Sequence, residues 1–187
     1  MAIVKDPLMK GISGKVGDQF YYRQFGGNTI LCKRPKRNKS KPRSREELRR
    51  QKKFRDALFY ARDAIRDPDM LAMYQALAGN GKTAYNMAMS DALKPPVLSK
   101  LNTKQYRGLP GNILEVKAED NVCVTSVSFT IYAPDGSEVE RGEAIPHRYS
   151  WQWRYTITTL NNTPKGSVIR VVAEDMPGNQ TVLEHIV

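Results

Sequence analysis

The chain has 187 residues, 40% hydrophobic and 26% charged, with a formal net charge of +11 and a pI of about 9.7. That length allows one domain or two small ones, and the composition excludes wholesale disorder. Two cysteines, Cys32 and Cys123, are too few for a disulfide framework, and neither sits in a Cys-x-x-Cys or Cys/His pattern that would suggest zinc.

Residues 1–37 read as β-rich. Gly11, Gly14 and Gly17 punctuate the entry, and Gln19–Phe25 is an aromatic strand. Gly26-Gly27-Asn28 is a turn and Thr29–Lys33 the return strand. A lone hairpin is marginal in water, so this one is expected to pack on something. Residues 33–43 form an extended, self-repelling basic arm spaced by Pro35 and Pro42.

Helical signals follow. Ser44 with Glu47 three residues on is a capping box. Leu48, Phe54, Leu58, Ala61 and Ile65 recur on one face, which is the expected core face. Asp67-Pro68 ends this helix and caps a second that carries Met70, Leu71, Tyr74 and Leu77 and stops at Gly79. A third starts near Thr83, carries Tyr85, Met89 and Leu93, and stops before Pro95-Pro96, the expected domain hinge.

Beyond the hinge, strands are expected at Ile113–Ala118, Val124–Tyr132, Trp151–Ile157, Ser167–Ala173 and Thr181–Ile186, with a turn at Ala133-Pro134-Asp135-Gly136. About seven short strands at this spacing read as a β-sandwich. The fold class expected is therefore α+β in two domains. Residues 1–96 form a basic hairpin plus about three helices, and residues 97–187 an all-β immunoglobulin-like sandwich.

Two resemblances bear on this. Val116-Lys117-Ala118-Glu119-Asp120, the Trp153-Arg154-Tyr155 strand, and Val171 to Asn179 with its Ala-x-Asp-x-x-Gly-Asn ending resemble a bacterial immunoglobulin-like domain. That likeness implies a fold and no activity. Lys10-Gly11-Ile12-Ser13-Gly14-Lys15-Val16-Gly17, with the aromatic strand, Gly-Gly-Asn turn and basic run after it, resembles the opening of an uncharacterised Bacteroidota family. It covers roughly residues 5–60, and implies a non-secreted bacterial protein with no assigned residues.

The feature with most chemical content is the basic run. Residues 32–55 hold 13 Lys/Arg and 2 Glu, net +11. Residues 1–98 hold 21 Lys/Arg and 9 Asp/Glu, net +12, whereas residues 99–187 hold 9 and 10, net −1. Clustered cations neutralise phosphates and release counterions, so Lys33, Arg34, Lys36, Arg37, Lys39, Lys41, Arg43, Arg45, Arg49, Lys52 and Lys53 are the expected polyanion contacts. Tyr21, Tyr22 and Phe25 are available to stack on unpaired bases. The alternative is a solvated linker and helix face with those aromatics buried.

Other constellations carry less. Ala76-Leu77-Ala78-Gly79-Asn80-Gly81-Lys82-Thr83 resembles half a phosphate loop, but a helix rather than a strand precedes it. Glu119-Asp120 and Glu174-Asp175 end at one pole of the expected sandwich, as a Ca²⁺ cage or as an ordinary loop cluster in which Asp175 and Asn179 fix a turn. Trp151, Trp153, Tyr155 and Ile157 share a face, expected to be core. His147 and His185 sit near no nucleophile signature.

The expected function is a non-enzymatic binding protein whose basic N-terminal half contacts DNA or RNA largely without sequence specificity, with the sandwich as docking module. The alternative is a structural or assembly protein of a phage particle or other large complex, in which protein partners or self-assembly replace nucleic acid. No cofactor, metal, small-molecule substrate or membrane partner is expected. Met1 to Lys10 lacks a secretory apolar stretch, which makes the cytoplasm the expected compartment.

Overall fold

In a computed structural model, which describes residues 2–34, 42–79 and 81–187, the chain is mixed α+β. It divides into two compact units, residues 1–50 and 51–187, and the Pro95-Pro96 step lies inside the second.

The first unit is organised by a hairpin. β3 (Phe20–Phe25) and β4 (Asn28–Lys33) are joined by Gly26 and Gly27, whose φ values of 56° and 76° both lie in the left-handed region. A two-residue loop of that kind matches the twist of the flanking strands, and only glycine adopts it twice without strain. Phe25 therefore pairs directly with Asn28, so Asn28 begins the strand rather than ending the turn. Two short strands that the sequence pattern does not reveal flank the hairpin. β1 (Ala2–Ile3) pairs with β4, and β2 (Gly14–Val16) with β3, giving the antiparallel order β1-β4-β3-β2. The buried Thr29 ties the intervening loop down. Its hydroxyl accepts from Gly11 N at 3.0 Å and from Gln24 Nε2 at 3.0 Å, while Gln24 Nε2 also reaches Ile12 O at 2.7 Å.

α1 (Arg45–Ala64) starts where expected, with Glu47 N donating to Ser44 Oγ at 3.2 Å. Its core face differs from the expected one. The buried positions are Ala57, Ala61 and Ala64, whereas Leu48 and Phe54 are each 50% exposed. The expected face holds at its C-terminal end, where Ala61 is fully buried and Ile65 packs against the same cluster. It fails at Leu48 and Phe54 because, among the described residues, nothing is packed over residues 45–56, and the small side chains of Ala57, Ala61 and Ala64 admit close helix packing. α2 (Pro68–Leu77) is capped by Asp67, whose carboxylate accepts from Asp69 N and Met70 N. α3 (Ala84–Leu93) is capped by Thr83. Ala61, Ala64, Tyr74, Ala84 and Ala88 make one cluster, against which Val122 from the β-rich part also packs.

Two four-stranded antiparallel sheets complete the second unit. One has the order β5 (Val97–Asn102), β6 (Ile113–Glu119), β10 (Tyr149–Thr156), β9 (Ile145–His147). The other has the order β12 (Gln180–Ile186), β11 (Val168–Asp175), β7 (Val124–Tyr132), β8 (Glu138–Glu143). Alternate residues of both sheets enter a single core: Leu114, Val116 and Ala118 from β6; Val127, Phe129 and Ile131 from β7; Ile169, Val171 and Ala173 from β11. Trp153, Tyr155 and Ile157 join them.

Trp151 departs from the core face assigned to it. A register shift lies between Tyr149 and Trp153 where β10 pairs with β9, and Arg148 takes a φ of 57°. Such a bulge breaks the period-2 alternation. Trp151 is 40% exposed, stacked on Tyr149 with centroids 5.0 Å apart, and Lys117 Nζ stands 5.1 Å from its ring.

Tyr155 is held on three sides. Its ring stacks on Phe129 at 5.3 Å, its hydroxyl donates to Glu140 Oε1 at 2.7 Å, and Gly142 lies against the ring. A Cβ on Gly142 would stand 2.6 Å from Tyr155 Cε2. Gly142→Ala should therefore cost about 1–3 kcal/mol by overpacking. Gly79→Ala, where a Cβ meets nothing within 4 Å, should leave the urea midpoint nearly unchanged. Equal effects of the two substitutions would contradict this packing.

Candidate nucleic-acid interface and the buried acidic junction

The charge of the chain follows its division into units. Residues 1–50 hold 14 Lys/Arg and 4 Asp/Glu, net +10, and residues 51–187 hold 16 and 15, net +1. Lys33 ends β4 opposite Phe20, and Arg34 N donates to Gln19 O at 2.7 Å, which fixes where the basic run leaves the sheet. Lys36, Arg37, Lys39 and Lys41 lie outside the described residues. Arg43 is exposed just before α1. On α1, Arg45, Arg49, Lys52 and Lys53 are all exposed at i, i+4, i+7 and i+8. They form one stripe spanning about 12 Å at 1.5 Å per residue. Lys52 Nζ meets Asp56 Oδ2 at 2.9 Å, but the two side chains are 71% and 54% exposed, so the pair adds little stability. Residues 45–56 bury no side chain, so this half of the helix is presented to solvent.

The aromatics of the hairpin divide. Tyr21 and Tyr22 are half-buried, and the Tyr22 hydroxyl lies 3.3 Å from Met9 Sδ. Phe25 is 64% exposed, with the Arg23 guanidinium 5.5 Å from its ring centroid. The phosphate-loop-like stretch is spent on local structure. Its first two residues end α2, Lys82 N closes a turn onto Gly79 O at 3.1 Å, and the Thr83 hydroxyl accepts from Asn86 N at 3.2 Å.

The paired acidic segments split as well. Glu119 Oε1 binds Lys117 Nζ at 2.7 Å and Glu174 Oε2 accepts from Gln180 Nε2 at 2.7 Å. Asp120 and Asp175 turn inward and meet a residue the sequence reading did not single out, Asp91 of α3, which is fully buried. Asp91 occupies the i+7 place of the stripe Ala84, Ala88, Asp91, Ala92, so an acid on an otherwise alanine face was its available signal.

Hydrogen bonds run through this junction from α1 to both sheets. The Tyr74 hydroxyl donates to Asp91 Oδ2 at 2.7 Å, so the Tyr60 hydroxyl, 2.8 Å from it, is the donor to Tyr74. Asn121 Nδ2 reaches Asp91 Oδ1 at 3.3 Å. Asn179 N and Nδ2 donate to the two oxygens of Asp175 at 2.6 and 2.8 Å, and Nδ2 also contacts Asp91 O at 3.4 Å. Burial pushes the Asp91 carboxyl up to about 6. The Tyr74 hydrogen bond pulls it down, but the charges of Asp120 and Asp175 add to the rise. Burial likewise raises the Cys123 thiol, with the three carboxylates adding to it, which leaves it a poor nucleophile. Among the described residues no group of three or more His, Cys, Asp or Glu is placed to hold a metal ion. His147 is half-buried on β9 and His185 exposed on β12. No helix among the described residues is long and apolar enough to cross a membrane.

Comparison with protein-family models, curated proteins and solved structures finds no match.

Tyr74→Phe would leave a buried Asp91 oxygen and the Tyr60 hydroxyl without their partner. It should cost about 1–3 kcal/mol in urea unfolding. Tyr85→Phe, on the next helix, should cost far less, and a null result for Tyr74→Phe would remove the junction from the stabilising contacts.

Proposed function

We propose that this protein is a non-enzymatic binding protein whose basic N-terminal half contacts nucleic acid largely through phosphates. The observation that carries the reading is the concentration of ten of eleven net charges in residues 1–50, together with a cation stripe along the first turns of α1, which bury nothing. Cations used for folding are paired or packed; those on Arg45, Arg49 and Lys53 are held out in water at helical spacing, where phosphates can release counterions. The absence of a groove-reading motif in the sequence agrees with backbone contacts rather than base readout.

The second unit fits a docking or spacing role. Its strand order, β5-β6-β10-β9 over β12-β11-β7-β8, supports an immunoglobulin-like reading of residues 97–187, with the β5 to β12 strands following that topology in chain order. On this reading residues 1–96 and 97–187 are the evolutionary modules, the protein acts in the cytoplasm, and the likeness of residues 5–60 to a Bacteroidota family adds no mechanism. A second reading, assembly into a larger particle, is favoured by one observation. The small sheet of the first unit exposes Ile3, Val16, Phe20 and Phe25, with Leu8 exposed in the turn between β1 and β2, and β2 lies at its edge, where strand addition would occur.

Salt titration of binding to DNA and RNA tests the proposal. Binding should weaken linearly in log–log form, with a slope of about −0.9 per phosphate contact on duplex DNA. Replacing Arg45, Arg49 and Lys53 together by Gln should make the slope shallower by about two to three without changing the unfolding midpoint. No binding at low salt to any nucleic acid would overturn the proposal, and large homomers in light scattering would move the case to assembly.

A further inference from the structure

We propose that Asp91 enters the folded chain protonated and donates that proton to Asp120 Oδ1, making the carboxyl pair a pH-sensitive latch between α3 and the loop ends of the two sheets.

The argument starts from an orphaned acceptor. Asp120 Oδ1 is buried and has no hydrogen-bond partner, while its other oxygen accepts from Val122 N at 3.0 Å. A buried carboxylate oxygen without a donor is costly, and native structures rarely leave one so. The group within hydrogen-bonding reach is the Asp91 carboxyl. Two carboxylates at that separation cannot both stay charged in a dry site, but one proton between them converts repulsion into a charge-assisted O–H···O⁻ bond. The same proton gives Asp120 Oδ1 the donor it lacks.

The surroundings favour this state. The groups facing Asp91 are the Tyr60 hydroxyl from α1, the Tyr74 hydroxyl from α2, Asn121, Asp120 and Cys123 from the β6–β7 connection, and Asp175 with Asn179 from the β11–β12 turn. The charges acting on it are those of two further carboxylates. Asp91 burial therefore favours the neutral form, and below about pH 6 a shared proton rather than a cation offsets the carboxylate charges where α3 meets the loop ends of the sheets.

The sign of the pH dependence follows. A carboxyl whose folded value lies above its unfolded one holds more protons folded than unfolded between the two. Stability is then greatest below the unfolded value and falls as pH rises through the folded one. With 3.8 unfolded and about 6 folded, the unfolding constant should rise roughly 50-fold between pH 4 and pH 7 from this group alone. Asp175, raised by burial, acts in the same direction. Glu140 and Glu115, both held below their ordinary values, gain stability over the acid end of the range and flatten the start of the fall.

The test uses the full chain. Carbon-13 NMR titration of aspartate carboxyls should show Asp91 titrating near 6. Urea unfolding from pH 4 to pH 7 should show the loss of stability, and hydrogen exchange of α3 amides, corrected for intrinsic rates, should quicken over the same window. Asp91→Asn supplies a carboxamide N–H to Asp120 at every pH and should abolish most of the pH step. Asp120→Asn should shift Asp91 titration toward the ordinary range. An ordinary-range titration of Asp91 in the wild-type chain, or a pH step of unchanged size in Asp91→Asn, would overturn the proposal. The wild-type titration decides the matter if either variant fails to fold.

Discussion

Burying a carboxyl group forces a choice between supplying it with donors and letting it keep a proton, and the second unit uses both solutions. Glu140 is buried beneath the end of β10. Burial pushes its carboxyl up, but hydrogen bonds from the Thr158 hydroxyl, the Tyr155 hydroxyl, Thr158 N and Thr159 N outweigh that and hold it below its ordinary value. Asp91 has only the Tyr74 hydroxyl at short range and two other acids nearby, so its carboxyl moves the other way. Donor count is one cause of the contrast between these two buried acids, the deeper burial of Asp91 being the other. The helical cluster and the paired sheets join around Asp91, with the Thr181 hydroxyl donating to Pro96 O as a further tie. The attachment of α3 therefore combines the apolar packing of Ala84 and Ala88 with a carboxyl whose charge is opposed by its surroundings.

Charge is distributed on a different principle from stability. The core of the paired sheets is built from aliphatic and aromatic residues at period 2, and its ion pairs, such as Arg154 with Glu115 at 2.9 Å, lie toward the surface. In the first unit cations outnumber acids by more than three to one. Among the described residues, the stripe on α1 shows one ion pair, Lys52 with Asp56. A helix needing these charges for its own sake would carry more i,i+4 partners of opposite sign.

The elements most legible in the sequence were those fixed by local rules. The Gly26-Gly27 turn, the Ser44, Asp67 and Thr83 caps, and the alternating strands β6, β7 and β11 follow from backbone freedom, orphan N–H groups and period-2 burial. What escaped depends on distant contacts. Phe54 continues an apolar stripe that is buried only from Ala61 onward, because, among the described residues, nothing is packed over the first turns of α1. Trp151 leaves the core face because a bulge before Trp153 shifts the register. β8, reading Glu138-Val139-Glu140-Arg141-Gly142-Glu143, looks too charged for a strand, yet Glu140 is buried by donors from Thr158 and Thr159 that sequence distance conceals. Of the acidic pole, Asp120 and Asp175 could be anticipated from their loops; Asp91, from a helix some thirty residues earlier, could not be joined to them without the fold.

The two units also differ in what a polyanion would do to them. The first unit is a sheet of two six-residue strands with two- and three-residue flanks, a size at which sheets are marginal in water. Its like charges repel one another, and self-repulsion opposes the compact state. A ligand that neutralises those charges and binds the folded form better than the unfolded chain would stabilise it by mass action. The second unit, with a net charge of +1 and a continuous core across both sheets, gains nothing comparable. Folding of the small sheet would therefore be linked to binding of such a ligand, and folding of the paired sheets would not. The same linkage distinguishes phosphate binding from assembly through the exposed apolar side chains of the small sheet. Added salt screens the repulsion and competes with phosphates, but strengthens apolar association, so the two modes respond to ionic strength with opposite sign.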